Sequence, residues 1–175
     1  MKIASVVVTG GRSFPEEDGD RIRQDLRTLS ALGLERVAHG WAAGADRIAR
    51  LWAEDFLGSA GTRGYPADWR RDGRAAGPRR NVRMLEAERP DLVLAYPIRD
   101  SRGTWNCVTE ALARGITVAV WAPWMTHAAA LSAATSGGRK SACCFDDEPR
   151  FVLAPEGVER GLHTVSIAKL LRGAA

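Results

Sequence analysis

Short apolar runs, glycine-containing turns and amphipathic segments alternate five times within residues 3–121, and this alternation constrains the fold more than any other feature. The predicted strands lie at residues 3–9, 36–39, 63–66, 91–96 and 116–121. The runs at 3–9 and 91–96 are almost continuously apolar, which is typical of strands buried on both faces of a parallel sheet. The alternation predicts an α/β, doubly wound, mainly parallel five-stranded sheet with helices on both faces.

Helices are expected between these strands, because apolar residues recur there at helical spacing. The first is predicted at 15–32, where Ile22, Leu26 and Leu29 share a face. The helix after the second strand is predicted to bury Ile48, Leu51, Trp52 and Phe56. In the helix at 79–88, Val82 and Leu85 are expected to face the sheet, with Met84 near the mouth of the site, and Pro78 suits the first helical position.

The length of 175 residues suits one domain. Residues 1–123 are predicted to form the core, and residues 124–175 a C-terminal extension packed on the same domain. Within the extension we expect a short helix at 125–134, a loop at 136–140, an edge strand at 151–153 and a closing helix at 165–171. No second domain and no internal repeat is expected.

Composition narrows the class of protein. With 45% hydrophobic and 26% charged residues the chain reads as globular, and its net charge of +4 is modest. The three cysteines, Cys107, Cys143 and Cys144, form no CxxC pair and read as reduced thiols of a cytoplasmic protein. No run approaches the length of a membrane helix, and the N-terminus reads as a strand rather than a signal segment. No cofactor and no metal site is predicted, since Cys143 and Cys144 with the acids at 146–148 fit no standard spacing.

An anion site is predicted where the Gly and Arg elements follow the strands. Residues 66–104 combine an Arg-rich loop, a Gly-Pro helix start and a Gly-Thr turn that opens another helix. Helix N-termini present unpaired N–H groups, and arginine adds a planar fork that fits phosphate oxygens. In doubly wound sheets, ligands bind at the carboxyl ends of the strands. The predicted ligand- and phosphate-binding residues are Gly10, Gly11, Arg12, Gly40, Gly44, Asp46, Trp69, Arg79, Arg80, Asn81, Gly103, Thr104 and Asn106.

Structural interpretations compete with the functional ones at most of these positions. Arg79, Arg80 and Arg83 either hold an anion or are solvated charges on an exposed helix face. Thr104 either caps its helix or leaves the same N–H groups to a phosphate. Asp46 either favours a helix macrodipole or holds an arginine in place.

Three further side chains carry the same kind of alternative. Trp69 either stacks on a base or pins the loop to the body. For His39, a satisfied polar residue is favoured over a catalyst. For Cys107, a buried small residue is favoured over a thiol activated by a helix N-terminus.

Five segments occur here in one order: VTGGRSF, HGWAAGADRIA, PADW, GPRRNVRM and the Gly-Thr turn. Together they resemble the YspA-type, YpsA-related branch of the SLOG superfamily, which also includes the lonely-guy phosphoribohydrolases and the DNA-processing Smf/DprA proteins. The resemblance covers about residues 3–121. It implies a Rossmann-like fold and binding of nucleotides or nucleotide-derived ligands. Because lonely-guy relatives are commonly dimers, it also suggests a homo-oligomer.

The lonely-guy signature is matched only in part. Arg80 and Met84 match its RKxxM helix, with Asn81 in place of the lysine, and Gly103-Thr104 matches its PGGxGTxxE turn. The acids that follow the turn are absent, and Glu110 is the nearest carboxylate, expected to share a cleft with Asn106 four residues earlier. Glycosidic cleavage needs such a carboxylate, so Arg80 and Glu110 are the catalytic residues only if the protein is an enzyme.

Three functions therefore stand side by side. The first is binding or sensing of a nucleotide or nucleotide-derived phosphorylated small molecule. The second is a nucleotide N-glycosidase, or phosphoribohydrolase, of lonely-guy type. The third is single-stranded nucleic-acid binding through the basic loop and Trp69, which the modest net charge and few aromatic residues disfavour. No membrane partner is expected.

Overall fold

The computed structural model describes residues 3–99, 101–123, 127–135 and 150–153. Its elements, in chain order, are β1 (Ser5–Gly10), α1 (Gly19–Ser30), β2 (Arg36–His39), α2 (Ala45–Leu57), β3 (Thr62–Gly64), α3 (Trp69–Asp72), α4 (Ala76–Glu88), β4 (Leu92–Tyr96), α5 (Arg102–Ala113), β5 (Val118–Trp121), α6 (His127–Thr135) and β6 (Arg150–Leu153). Single 3-10 turns at Ser59–Gly61 and Gly73–Ala75 precede β3 and α4.

The strands form one sheet in the order β3-β2-β1-β4-β5-β6. The first five are parallel, and β1 at the centre pairs with β2 on one side and with β4 on the other. β6 pairs antiparallel with β5, which confirms the predicted edge strand. The chain builds the sheet outward from β1 to β3 and then returns to add β4 beside β1. The doubly wound α/β fold is thereby confirmed, with its topological switch between β1 and β4.

Helices cover both faces of the sheet because successive strand residues point to opposite sides. Val6 and Val8 of β1 are buried with residues of α1 and α2. Val7, between them, is buried on the other face with residues of α4, α5 and α6. Two apolar layers therefore hold the central strands rigidly, and the carboxyl ends of β1 and β4 emerge between them.

Two helix starts differ from the sequence-based expectation. α1 begins at Gly19 rather than at residue 15, because residues 15–19 form a turn in which the Asp18 N–H donates to Pro15 O and the Gly19 N–H to Glu16 O. α4 begins at Ala76, directly after a 3-10 turn, so Pro78 is its third residue and not its first. Proline is tolerated there because the first turn of a helix leaves its N–H groups unpaired.

The inner faces of two helices are also corrected. α2 buries Ala45, Ile48, Ala49, Trp52 and Ala53, so the expectation that Leu51 and Phe56 belong to its inner face was wrong. Phe56 is 60% exposed, with its ring stacked on Trp52. In α4, Met84 and Leu85 are buried against the sheet, whereas Val82 is only half-buried. Each helix is therefore rotated about its axis relative to the prediction, so that its buried face is displaced by about one residue.

In the part of the chain that the structure describes, no helix is long and apolar enough to cross a membrane. The short helix expected at 125–134 is found as α6. The loop expected at 136–140, the closing helix expected at 165–171, Cys143 and Cys144 lie outside the described residues.

Candidate functional site

A cleft of about 670 Å³ lies at the carboxyl ends of β1 and β4, at the topological switch of the sheet. This is the position where doubly wound folds bind their ligands. Ten of the thirteen predicted binding residues line it: Gly10, Gly11, Arg12, Asp46, Trp69, Arg80, Asn81, Gly103, Thr104 and Asn106. Residues separated by almost a hundred positions in the chain therefore meet in one cavity.

Arg80 projects from α4 into the wall of this cleft and is 13% exposed. Its Nη1 donates to the backbone oxygen of Tyr65 at 3.3 Å and lies 3.8 Å from the Asp46 carboxylate. Of the three arginines considered for an exposed helix face, Arg79 and Arg83 are exposed, whereas the side chain of Arg80 is mostly covered by the protein. Both contacts hold Nη1, so the planar guanidinium has a defined position in the wall of the cleft.

Asp46, in the first turn of α2, holds Arg80 and the turn that follows β2. Its Oδ2 accepts hydrogen bonds from the backbone N–H groups of Gly40 at 2.9 Å and Ala42 at 3.4 Å. Burial raises the pKa of this carboxyl to about 6, against the opposing effect of the Arg80 charge. Of the two roles considered for Asp46, the structure supports the one in which it positions an arginine.

Two glycines allow close packing around Arg80 and between the turns that follow β1 and β2. A Cβ at Gly40 would lie 1.2 Å from Nη1 of Arg80, so only glycine leaves room for the guanidinium. Gly44 has φ +69, and a Cβ there would lie 2.2 Å from the backbone oxygen of Gly11. Gly44 therefore packs the second turn directly against the first. Gly11 is not among the glycines of positive φ, and its restriction comes from the Ile98 side chain instead.

The N-terminus of α5 forms another wall of the cleft. The helix begins at Arg102, so Thr104 is its third residue and does not cap it. The preceding Ser101 makes no side-chain cap to the helix, and its Oγ accepts from the Ile98 N–H. Asn81, which is buried, donates from Nδ2 to Gly103 O at 3.1 Å and to Asn106 Oδ1 at 3.0 Å. Asn81 thereby fixes the start of α5 against α4.

The other three predicted binding residues, and the catalytic candidate Glu110, lie elsewhere. Arg79 does not line the cleft and is paired with Asp72 at 2.7 Å. Gly40 borders an adjacent recess, and Gly44 lies behind the first turn. Glu110 does not share the cleft with Asn106, contrary to expectation, because its carboxylate pairs with Arg114 one turn further along α5, at 2.5 Å. Glu110 is therefore unavailable as a general base in this arrangement.

Arg74 and Arg102 also line the cleft and were missed as site residues. The sequence around each of them indicated a place in the site, because Arg74 belongs to the Arg-rich loop and Arg102 directly precedes Gly103-Thr104. Among the described residues that line the cleft, four arginines (Arg12, Arg74, Arg80 and Arg102) face the single carboxylate of Asp46. The cleft is therefore strongly cationic, although the net charge of the chain is small.

Trp69 opens α3 and stands at the rim, 49% exposed. The Arg12 guanidinium carbon lies 5.0 Å from its ring centroid, within the range of a cation–π contact. The contact ties the Arg-rich loop to the first glycine turn. About half of the side chain remains exposed, so pinning and stacking are compatible roles for Trp69.

His39 and Cys107 are structural in this arrangement. His39 is fully buried, its Nδ1 accepts from the Trp41 N–H, and its Nε2 lies 3.2 Å from Thr62 Oγ1. Burial, aided by the Arg50 charge, lowers its pKa to about 4, so the ring is neutral at neutral pH. Burial raises the pKa of the Cys107 thiol to about 12, which keeps it protonated and unreactive.

His39 and Asp46 give opposite contributions to stability between about pH 4 and 6.5. The lowered pKa of His39 contributes stability that is lost as the pH falls from 6.5 through about 4. The raised pKa of Asp46 contributes stability present below 3.8 and lost as the pH rises through about 6. At about 1.4 kcal/mol per unit, each amounts to about 3 kcal/mol. On acidification from pH 7 to pH 4, we expect the free energy of unfolding of Asp46→Asn to fall by about 3 kcal/mol more than that of the parent. For His39→Gln we expect it to fall by about 3 kcal/mol less.

Urea unfolding of the parent and the two variants from pH 4 to 7 measures these slopes. Contributions from other carboxyls are common to all three proteins and cancel in the differences. Parallel stability curves for the three proteins would contradict the burial of the two charges.

No group of three or more His, Cys, Asp and Glu side chains is placed to hold a metal ion in the described ranges.

No family model matches the chain. The Gene 61 protein of Mycobacterium phage D29 is 38% identical to it over 120 residues, a match that covers 65% of this chain and 92% of the phage protein. The chain therefore belongs to the family of that phage Gene 61 protein.

Proposed function

We propose that the cleft binds a nucleotide or a nucleotide-derived phosphorylated small molecule, and that the protein acts as a binding or sensing module. The supporting observation is the convergence of four arginines and the N-terminus of α5 on one cavity, whose described lining residues include a single carboxylate. Charge-assisted hydrogen bonds from arginine and helix N–H groups are the interactions that phosphate favours. The negative charge of Asp46 does not exclude a phosphate from the cleft, because its carboxylate already interacts with Arg80 and with two backbone N–H groups.

A nucleotide is favoured over a bare anion for two reasons. The volume of about 670 Å³ falls within the range of sites for small organic ligands, roughly 300–1,000 Å³. Trp69 at the rim offers an aromatic face, to which a base can stack. The resemblance to the SLOG superfamily points to the same ligand class and the same edge of the sheet.

Calorimetric titration with AMP and with adenosine tests this proposal. AMP is expected to bind at least about tenfold more tightly than adenosine, because even one hydrogen bond to a charged group contributes about 1.5–3 kcal/mol. Arg80→Lys, which keeps the charge but loses the planar fork, should remove most of the difference, whereas Arg79→Lys should not. Equal affinities for AMP and adenosine, or no binding of either, would refute the proposal.

We expect no release of free base from nucleoside monophosphates. The single carboxylate that lines the cleft among the described residues is Asp46, whose partners are Arg80 and two backbone N–H groups, and Glu110 is held by Arg114. Misplacement of a catalytic group by about 1 Å already costs on the order of a hundredfold in rate.

Chromatography of a nucleotide panel after long incubation with excess protein is the assay. Base release that disappears in Glu110→Gln would instead favour the phosphoribohydrolase, with Glu110 freed from Arg114 by the substrate.

Single-stranded nucleic-acid binding is the second candidate function. It is favoured by two half-exposed tryptophans, Trp41 and Trp69, at the same edge as the arginines. Binding of an oligonucleotide should weaken steeply with salt, in proportion to the number of phosphates neutralised, whereas a mononucleotide in the cleft should respond less. A salt titration of both ligands separates the two functions.

A further inference from the structure

A second recess of about 420 Å³ opens beside the cleft, between Trp41 of the β2–α2 turn and Trp69 of α3. The two cavities share Arg12, Ala42, Trp69 and Arg80, so they adjoin each other. The arginines stand at the junction, with the N-terminus of α5 on the far side of the cleft. We call this second cavity the tryptophan recess.

Trp41 is held in the recess at a conformational cost. Its φ is +58, a left-handed value that is unfavourable for a large side chain and is typical of sites where function requires it. Core packing does not explain the cost, because the side chain is 56% exposed.

The indole of Trp41 is nevertheless fixed. It stacks on buried His39 with 5.6 Å between ring centroids, and the Arg50 guanidinium carbon lies 5.1 Å from its ring centroid. A Cβ at Gly64 would lie 2.2 Å from its Cε3, so β3 needs glycine to admit the ring. The result is a rigid, half-exposed aromatic surface beside a cationic cleft.

The side chains around the tryptophan recess offer stacking surfaces and few means of reading a ring's edge. Besides Trp41, Trp69 and the two arginines, the described residues that line it are glycine, alanine and proline. None of these side chains is a carboxylate, amide or hydroxyl. Stacking on aromatic faces tolerates every base, whereas discrimination requires hydrogen bonds to base edges.

We propose that the tryptophan recess stacks the base of the nucleotide whose phosphate lies in the main cleft, and that it accepts all four common bases. The inference rests on the proposed function, and it adds the position of the base and the breadth of specificity. One nucleotide spans the two cavities, with its ribose beside Arg12 and Arg80. Purines bind more tightly than pyrimidines because their larger rings stack over more of the indole.

The test compares AMP with ribose 5-phosphate, which carries the same phosphate and lacks the base, by calorimetry on three proteins. In the parent, AMP should bind about tenfold more tightly, since stacking of one base contributes about 1–3 kcal/mol. Trp41→Gly removes the ring and also relieves the positive φ, so the variant is expected to fold. It should lose most of the preference for AMP, with the affinity for ribose 5-phosphate unchanged. Phe56→Ala removes an equally exposed aromatic ring of α2 outside both cavities and should change neither affinity.

The outcomes separate the two levels of the proposal. Parent protein that binds AMP and ribose 5-phosphate equally well would overturn the tryptophan recess as the base site and leave phosphate binding intact. If Trp41→Gly lowers the affinities for AMP and ribose 5-phosphate equally, the tryptophan recess is not the base site, because the ring then has a structural role. In that case Trp41→Phe should restore both affinities.

Failure of both ligands to bind the parent would overturn the proposed function, and this inference with it. A sharp preference for one of AMP, GMP, CMP and UMP would refute the breadth of specificity. Trp41-dependent binding of oligonucleotides without binding of AMP would replace the proposal by nucleic-acid binding.

Discussion

Arg80→Ala is expected to lower the free energy of unfolding by about 3 kcal/mol at neutral pH. Removing one partner of a buried ion pair leaves the other charge uncompensated, at a typical cost of roughly 3–5 kcal/mol. We expect the lower end of this range because Asp46 can become neutral in the variant. Its pKa is already raised to about 6, and without the Arg80 charge the carboxyl takes up a proton. The same variant should weaken phosphate binding in the cleft, which Arg80 lines, by about 1.5–3 kcal/mol.

Arg79→Ala is the matched control, one residue away on the same helix. Arg79 is exposed and pairs with Asp72 outside the cleft, so its loss should cost less than about 0.5 kcal/mol. Urea unfolding of both variants provides the measurement. In the double variant Arg80→Ala/Asp46→Asn, the stranded carboxylate is gone and part of the stability should return. If Arg80→Ala is as mild as Arg79→Ala, the ion pair does not hold the site together.

Gly44→Ala is expected to destabilise the protein by about 4 kcal/mol. A side chain at φ +69 with ψ −129 is strained by about 1–3 kcal/mol, because this backbone conformation is available almost exclusively to glycine. The new Cβ would also meet the backbone oxygen of Gly11 at 2.2 Å, and a main-chain atom cannot move aside as a side chain can. Relieving that contact requires the first and second turns to separate, which adds roughly 1–3 kcal/mol.

Gly58→Ala separates the two causes. Gly58, at the end of α2, has φ +71 and ψ −179, and a Cβ added there would meet no atom within 4 Å. It should therefore lose only the conformational part, about 1–3 kcal/mol. Thermal or urea unfolding of both variants gives the comparison. Equal losses would show that the approach of Gly44 to Gly11 contributes nothing.

Much of the sheet could be predicted because the period and length of apolar runs are local properties. β2 occupies the residues expected of it, and β4 differs by one residue. The rotation of the helices was less accessible. α4 carries apolar Val82, Met84 and Leu85 within four positions, and only packing against the sheet decides that Met84 is buried.

The candidate site was accessible where its residues adjoin glycine turns, as at Gly10-Gly11 and Gly103-Thr104. It was not accessible where a side chain had two possible partners. Glu110 lies four residues from both Asn106 and Arg114, and the choice of Arg114 depends on the local ion pairs of α5. At Trp41 the sequence indicates only a turn, because neither the positive φ of this residue nor its place beside Trp69 is encoded in a local pattern.

A crystal structure of the protein with AMP would show directly whether the cleft binds a nucleotide. We expect phosphate oxygens within hydrogen-bond distance of the Arg80 guanidinium and of backbone N–H groups at the start of α5, near Gly103 and Thr104. We also expect the adenine ring to lie against Trp41. AMP bound with its phosphate outside this cleft, or a cleft left empty at millimolar AMP, would show that the cleft is not a nucleotide site.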